Sequence, residues 1–356
     1  MASPGSIDRE SYGTAPDGTA VDRYTMTNAG GNRMRVLTFG GVIQTLEVPD
    51  RDGRRDNIVL GYRTVSDYAA DGDPYFGALI GRYGNRIAEG RFSLDGTSYR
   101  LPINDPPSSL HGGDTGFDDR VWDARELRRD GQVGLELSLL SEDGDQGYPG
   151  NLQVTVTYVL TDRDSVEIGF RATTDAPTVV NLTQHSYFNL AGEGSGTAYD
   201  HRLQIPASRF TPVGETLIPT GEVTDVEGTA FDFRTPKPIG RDVRAAEPQL
   251  LHGRGYDHTW VLDGGGPMRL AARLEEPTSG RVLTVHTEEP GIQFYSGNFL
   301  DGTLVGYSGG AYRQGDGIAL ETQHLPDSPN QASFPSTVLR PGEVYSTNTV
   351  WTFTAR

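Results

Sequence analysis

Apolar residues recur at every second position over much of the chain. Val133, Leu135, Leu137 and Leu139 alternate with small or polar residues. So do Leu152, Val154, Val156, Tyr158 and Leu160, then Val166, Ile168 and Phe170, and later Met268, Leu270, Ala272 and Leu274. A period of two sends successive side chains to opposite faces, so these runs predict strands with one packed face and one wet face. Asp-Gly pairs at 52–53, 95–96 and 130–131 mark hairpin turns, and residues 92–101 read as a complete hairpin around the second pair. Helical signals are sparse: one turn over residues 66–70, and a short helix within 239–251 that ends before Gly253. No signature recurs at 20–50 residues, which argues against a propeller or solenoid. No low-complexity linker divides the chain. The expectation is an all-β protein, built as a single large antiparallel sandwich rather than two small ones.

Composition narrows what such a sandwich binds. The 356 residues are 35% hydrophobic and 9% aromatic, enough for a packed core. Asp and Glu number 48 against 31 Lys and Arg, a net charge of −17. Basic residues cluster no further than pairs such as Arg54-Arg55 and Arg128-Arg129. Nucleic acids and anionic membranes need a cationic footprint, so neither is expected as a partner, and a neutral ligand fits better. No apolar run approaches the roughly 20 residues of a membrane helix. The absence of cysteine excludes disulfides, thiolate nucleophiles and cysteine-ligated metals. Seven histidines in no His-x-His or His-x-x-x-His spacing give little support to a metal site. Lys237 is the sole lysine, which leaves Schiff-base chemistry almost nowhere to occur. The first residues lack the basic and apolar regions of a signal peptide and read as a trimmed end. Residues 1–12 are expected to be a flexible extension before a domain at 13–356. An acidic, cysteine-free, nearly lysine-free chain fits export with its signal removed slightly better than a cytoplasmic location.

Six segments break the alternation with dense polar, aromatic and glycine content: 76–87, 109–113, 180–192, 255–262, 290–302 and 320–330. Loops carry function more often than strands, whose sequence serves packing. A neutral sugar needs planar hydrogen-bonding groups for its hydroxyls and an aromatic face for its ring. These segments supply Asn85, Arg86, His111, His185, Tyr187, Asp257, Gln293 and Glu321. Each has a plainer reading. His185 fits a hydrogen-bonded core histidine, His111 a turn former beside two glycines, and Arg86 a structural ion-pair donor. Asp257 fits a solvated loop, and Tyr187 a core aromatic. Glu321 follows the apolar run Gly317-Ile318-Ala319-Leu320, and a carboxylate buried there must be paired, hydrogen-bonded or functional.

Together the segments resemble the aldose 1-epimerase (galactose mutarotase) family, from about Gly13 to the end. The carriers are G-R-Y-G-N-R-I, S-L-H-G-G, N-L-T-Q-H-S-Y-F-N-L, Y-D-H, P-G-I-Q-F-Y-S-G-N-F and L-E-T-Q. The resemblance implies one large antiparallel sandwich with an open sugar cleft. It implies Glu321 as general base and His185 as general acid. Asn85, Arg86, His111, Asp257 and Gln293 become sugar contacts, and no metal or organic cofactor is needed. The implied reaction interconverts the α and β anomers of free aldohexoses such as glucose and galactose, in a monomer or weak homodimer. Unperturbed values near 4.3 for Glu and 6.5 for His place carboxylate and imidazolium together between those limits. Three departures from the family pattern, Gly84, Asp119 and Gln184, fall outside the positions given a catalytic role. Rival readings are a glycoside hydrolase pairing Glu321 with Asp257, a non-catalytic sugar-binding sandwich, and a mutarotase for hexose 6-phosphates. The last would need more cations than these segments offer.

Overall fold

The computed structural model describes residues 5–70, 72–129, 132–264 and 266–356. Its main layers are three antiparallel sheets of five, nine and six strands. The nine-stranded sheet runs Asp123–Arg129, Gln132–Ser141, Leu152–Leu160, Ser165–Thr174, Tyr345–Ala355, Arg281–Thr287, Arg269–Glu275, Arg202–Gln204 and Lys237–Pro238. The six-stranded sheet runs Tyr187–Phe188, Ile318–Gln323, Gly291–Tyr295, Asp257–Val261, Arg209–Thr211 and Thr224–Asp225. Alternation governs the first of these as expected: Leu152, Val154, Val156, Tyr158 and Leu160 are all buried, with the residues between them more open. Between the sheets, Trp351, Val285 and Leu283 pack with Phe294, Ile292, Trp260 and Leu320 in one continuous core. Phe188 meets Trp351 edge-on at 5.0 Å. The result is the large antiparallel β-sandwich the alternation implied.

Four local expectations resolve differently. Met268 is exposed because a bulge between Leu270 and Ala272 turns Ala271 and Ala272 both inward and breaks the period. The stretch 239–251 divides into a 3₁₀ turn at Ile239–Arg241 and a helix at Pro248–Gly253. Pro248, which lacks an N–H, opens the second, and Gly253 lies inside it. Residues Ser6–Thr14 form a strand paired along its length with Ala20–Thr27, so the boundary placed after residue 12 falls inside a strand. In the six-stranded sheet, the strands around Glu321 are buried on both faces rather than half wet. The hairpin at 92–101 and the helical turn Val65–Tyr68 stand where the sequence puts them. The Asp130-Gly131 turn lies outside the described residues.

Lys237 is buried. Its ammonium bonds Asp242 at 2.8 Å and sits 4.1 Å from the centre of the Phe233 ring. No helix among the described residues is long and apolar enough to cross a membrane.

Candidate active site

Three neighbouring strands of the six-stranded sheet divide their side chains by parity. Even positions (His258 and Trp260, Ile292 and Phe294, Ile318 and Leu320) turn into the sandwich. Thr322 follows the same rule and meets Thr349 of the nine-stranded sheet at 2.6 Å. Odd positions turn to the other face, where register aligns Thr259, Gln293 and Glu321 in one row and Asp257, Tyr295 and Ala319 in the next. The flanking strand pairs Tyr187 with Ala319. Continuing that antiparallel register by two residues sets His185 opposite Glu321, and their Nε2 and Oε1 atoms stand 3.5 Å apart.

A second structure brings in the remaining groups. Ser109–Leu110 pairs with Arg86–Ile87, and the chain on either side turns through left-handed conformations at Asn85 (φ 66°) and His111 (φ 51°). Gly112 follows at φ 100°, where a Cβ would lie 2.0 Å from the Gly81 carbonyl oxygen, so only glycine fits. The cleft, about 140 Å³, is lined by Asn85, Arg86, His111, His185, Tyr187, Asp257 and Glu321. Gln293 stands behind, its amide donating to Asp257 Oδ1 at 2.6 Å while its carbonyl accepts from Thr259. Arg86 donates through Nε to Asp105 (2.7 Å) and reaches within 3.9 Å of Asp257. The Tyr187 hydroxyl is taken by the Pro74 carbonyl at 3.0 Å, so its ring, not its oxygen, faces the cleft.

Burial sets the protonation of the pair. It pushes the Glu321 carboxyl well above the usual carboxylate range, with nearby Asp257 adding to the rise and Arg86 opposing it. It also pushes His185 down to about 4. The expectation of a standing carboxylate and imidazolium therefore changes: the sugar-free cleft favours a neutral acid beside a neutral imidazole. Both arrangements carry one proton between two groups. Glu321 Oε2 and His185 Nδ1 are buried with no hydrogen-bond partner in the protein.

His111 plays a different part. The Asn85 N–H donates to its Nδ1 at 3.0 Å, which fixes the ring proton on Nε2. Burial, then the nearby His185 and Arg86, hold it well below its ordinary value, so it stays a neutral donor. Ligating atoms of His111, His185 and Glu321 lie within 4.8 Å of one another, close enough for a metal ion by distance alone. Ligation through His111 would require its proton to move to Nδ1, against the Asn85 N–H, so this set fits hydrogen bonding better than a cation.

Another His–Glu pair lines a larger recess of about 350 Å³, where His324 Nδ1 lies 2.7 Å from Glu289. The Tyr345 hydroxyl bonds the second Glu289 oxygen at 3.0 Å. Both carboxylate oxygens are thus engaged within the protein, unlike those of Glu321.

Several cleft residues escaped the sequence reading: Pro74, Tyr75, Leu110, Tyr295 and Phe299 line it, and Asp105 holds Arg86. Tyr75 sits one residue before the segment singled out at 76–87, and Tyr295 and Phe299 lie inside 290–302. Gln184 bridges the Gly77 carbonyl (2.8 Å) and the Ser186 N–H (2.8 Å) on either side of His185. A Cβ at Gly84 would lie 3.3 Å from its nearest neighbours, so a methyl there needs only small shifts.

Fold and cleft together define a large β-sandwich with a buried acid–base pair in a cleft lined by polar and aromatic side chains. The family model described as "Aldose 1-epimerase" matches residues 22–352, and the chain belongs to that family. It is 46% identical to a galactose mutarotase of Sus scrofa over 346 residues, 97% of this chain and 98% of the relative. It is 41% identical to an aldose 1-epimerase of Escherichia coli K12 over 351 residues, covering 97% and 99%. Among solved structures, a galactose 1-epimerase from Lactobacillus acidophilus superposes with a TM-score of 0.86 at 29% identity, covering 98% and 99%. An aldose epimerase homologue from C. elegans gives 0.84 at 30% identity, covering 99% of both chains.

Proposed function

We propose that this chain interconverts the α and β anomers of free aldohexoses, with Glu321 and His185 exchanging one proton pair across the ring. The observation that carries the reading is the buried pair 3.5 Å apart, each member keeping an unpartnered polar atom. A pyranose in the cleft that both residues line offers a C1 hydroxyl as donor and a ring oxygen as acceptor. Glu321 takes the C1 hydroxyl proton as His185 delivers its own to the ring oxygen, and the C1–O5 bond opens to the free aldehyde. Rotation about C1–C2 presents the other carbonyl face. The ring recloses with the roles reversed, and the pair again holds one proton. The neutral arrangement favoured in the empty cleft has the right proton count, and the sugar's C1 hydroxyl, donating to Glu321, favours the carboxylate once bound.

The surrounding groups supply orientation. Arg86 and the His111 Nε2–H are donors for oxygen on which negative charge develops as the ring opens. Asp257, fixed by Gln293 and Arg86, accepts from ring hydroxyls, and Tyr187 offers its ring face. Positioned acid–base groups contribute roughly 10²–10⁴-fold each.

Polarimetry of freshly dissolved α-D-glucose and α-D-galactose with purified protein tests the reading. Faster decay to the equilibrium rotation than in buffer is expected for at least one sugar, and decay at the buffer rate for both would overturn it. Extensive dialysis against EDTA should leave the rate unchanged, because every proton step is assigned to side chains.

A further inference from the structure

We propose that Tyr75 is a positioning residue for the two imidazoles of the cleft, its ring forming the wall that keeps water from both. The inference rests on the proton-transfer reading above. Tyr75 lines the cleft, meeting His111 edge-on at 4.6 Å between ring centres and His185 at 5.9 Å. The two imidazoles stand perpendicular at 5.1 Å. Three rings thus form one cluster, and Tyr75 is the member drawn from the chain before residue 76.

Its backbone is held at a price. Tyr75 has φ 66°, a left-handed conformation that a bulky aromatic rarely adopts. Three contacts keep it there. Its N–H donates to Asp73 (3.1 Å), its carbonyl accepts from the Ala78 N–H (3.2 Å), and the preceding Pro74 carbonyl accepts from the Tyr187 hydroxyl (3.0 Å). Two of these anchors belong to the His185 segment, because Ala78 accepts the His185 N–H at 2.9 Å and Tyr187 lies two residues on. The wall and the imidazole it covers are therefore fixed to the same frame. The ring, edge-on to His111 and tilted against His185, is the part of Tyr75 that meets both imidazoles.

The groups facing His185 are Glu321 from its strand, His111 and Arg86 from the left-handed corner, and Asp257 from the adjacent strand. Tyr187 from its own segment and Tyr75 with Asp73 from the preceding loop complete the set. None of the charged ones leaves when Tyr75 is replaced. Removing the ring admits water, which weakens the burial that holds both imidazoles neutral, so His185 should gain protons more readily.

The test is an NMR titration of the histidines in the sugar-free protein, comparing wild type with Tyr75→Gly, Tyr75→Asn and Tyr75→Phe. Glycine and asparagine suit the left-handed backbone, so either removes the ring without adding strain. The His185 midpoint should rise by at least ~1 pH unit in both, and stay within ~0.3 unit of wild type in Tyr75→Phe. The acidic limb of kcat/KM should move with it. An unchanged midpoint in folded Tyr75→Gly or Tyr75→Asn overturns the proposal, as does an equal rise in Tyr75→Phe. The titration needs no turnover, so a protein inactive in polarimetry would sink the mutarotase reading and still decide the role of Tyr75.

Discussion

Glu321 and His185 are each costly to bury and each incompletely bonded, and their chemistry follows from that pairing. Glu321→Gln keeps shape and hydrogen bonding but removes the proton acceptor. Its kcat should fall by at least ~10²-fold while sugar affinity persists, measured by polarimetry and calorimetry. Near-wild-type turnover would remove Glu321 from the mechanism. The pH profile carries a sign. The pair works with one proton, so activity is lost as pH falls through about 4, where His185 takes up a second. It is lost again as pH rises through the raised Glu321 value, where the only proton leaves. Burial therefore exchanges the limbs that free side chains would give. His185→Asn should reduce kcat strongly and remove the acidic limb while leaving the alkaline one, in a protein of near-native melting temperature. These two residues were legible from motif resemblance. Their inverted protonation was not, because burial by Tyr75, Tyr187 and the neighbouring strands is a property of the assembled cleft.

The strands themselves show where the sequence signal fades. In Leu152–Leu160 one face is core and the other is open, so hydrophobicity alternates and the strand announces itself. In Ile318–Gln323 both faces are buried, one against the sandwich core and one against the cleft, and the alternation is of function rather than polarity. Its register against Gly291–Tyr295 and Tyr187–Phe188, which aligns Gln293, Glu321 and His185, depends on pairings between residues up to about 130 positions apart. The left-handed corner at Asn85 and His111 is equally hidden, since neither residue type demands that conformation. Gly112 does. Gly112→Ala would force a methyl within 2.0 Å of the Gly81 oxygen at φ 100° and displace the His111 turn. The expected result is a loss of roughly 1–3 kcal/mol in denaturant unfolding and a raised KM. An alanine variant with unchanged stability and KM would mean the corner can relax without moving His111.

The sandwich as an assembly stores several neutral histidines away from water. His201, outside the cleft, accepts the Leu190 N–H through Nε2 at 2.8 Å and is held down to about 4 by burial. A group whose value is lowered on folding contributes stability that is complete above its unfolded value near 6.5 and lost as pH falls through the folded one. His201→Gln removes that dependence. The stability difference between wild type and variant should therefore shrink as pH is lowered from 6.5 to about 4, read from melting temperatures across that window. A difference independent of pH would show that His201 does not titrate differently in the folded state.

The burial of Lys237 has a consequence for a protein that works among reducing sugars. The proposed reaction passes, at each turnover, through the open-chain aldehyde, the one form of an aldose that condenses with amines to imines and then to irreversible adducts. Such glycation requires an accessible, unprotonated amine. The chain has one lysine, 3% exposed, with its ammonium engaged by Asp242 and the Phe233 ring. Its guanidinium-bearing surface is protonated and far less nucleophilic. The sole lysine is thus shielded from the open-chain aldehyde of the proposed reaction, and prolonged incubation with galactose should leave Lys237 unmodified in peptide mass spectra.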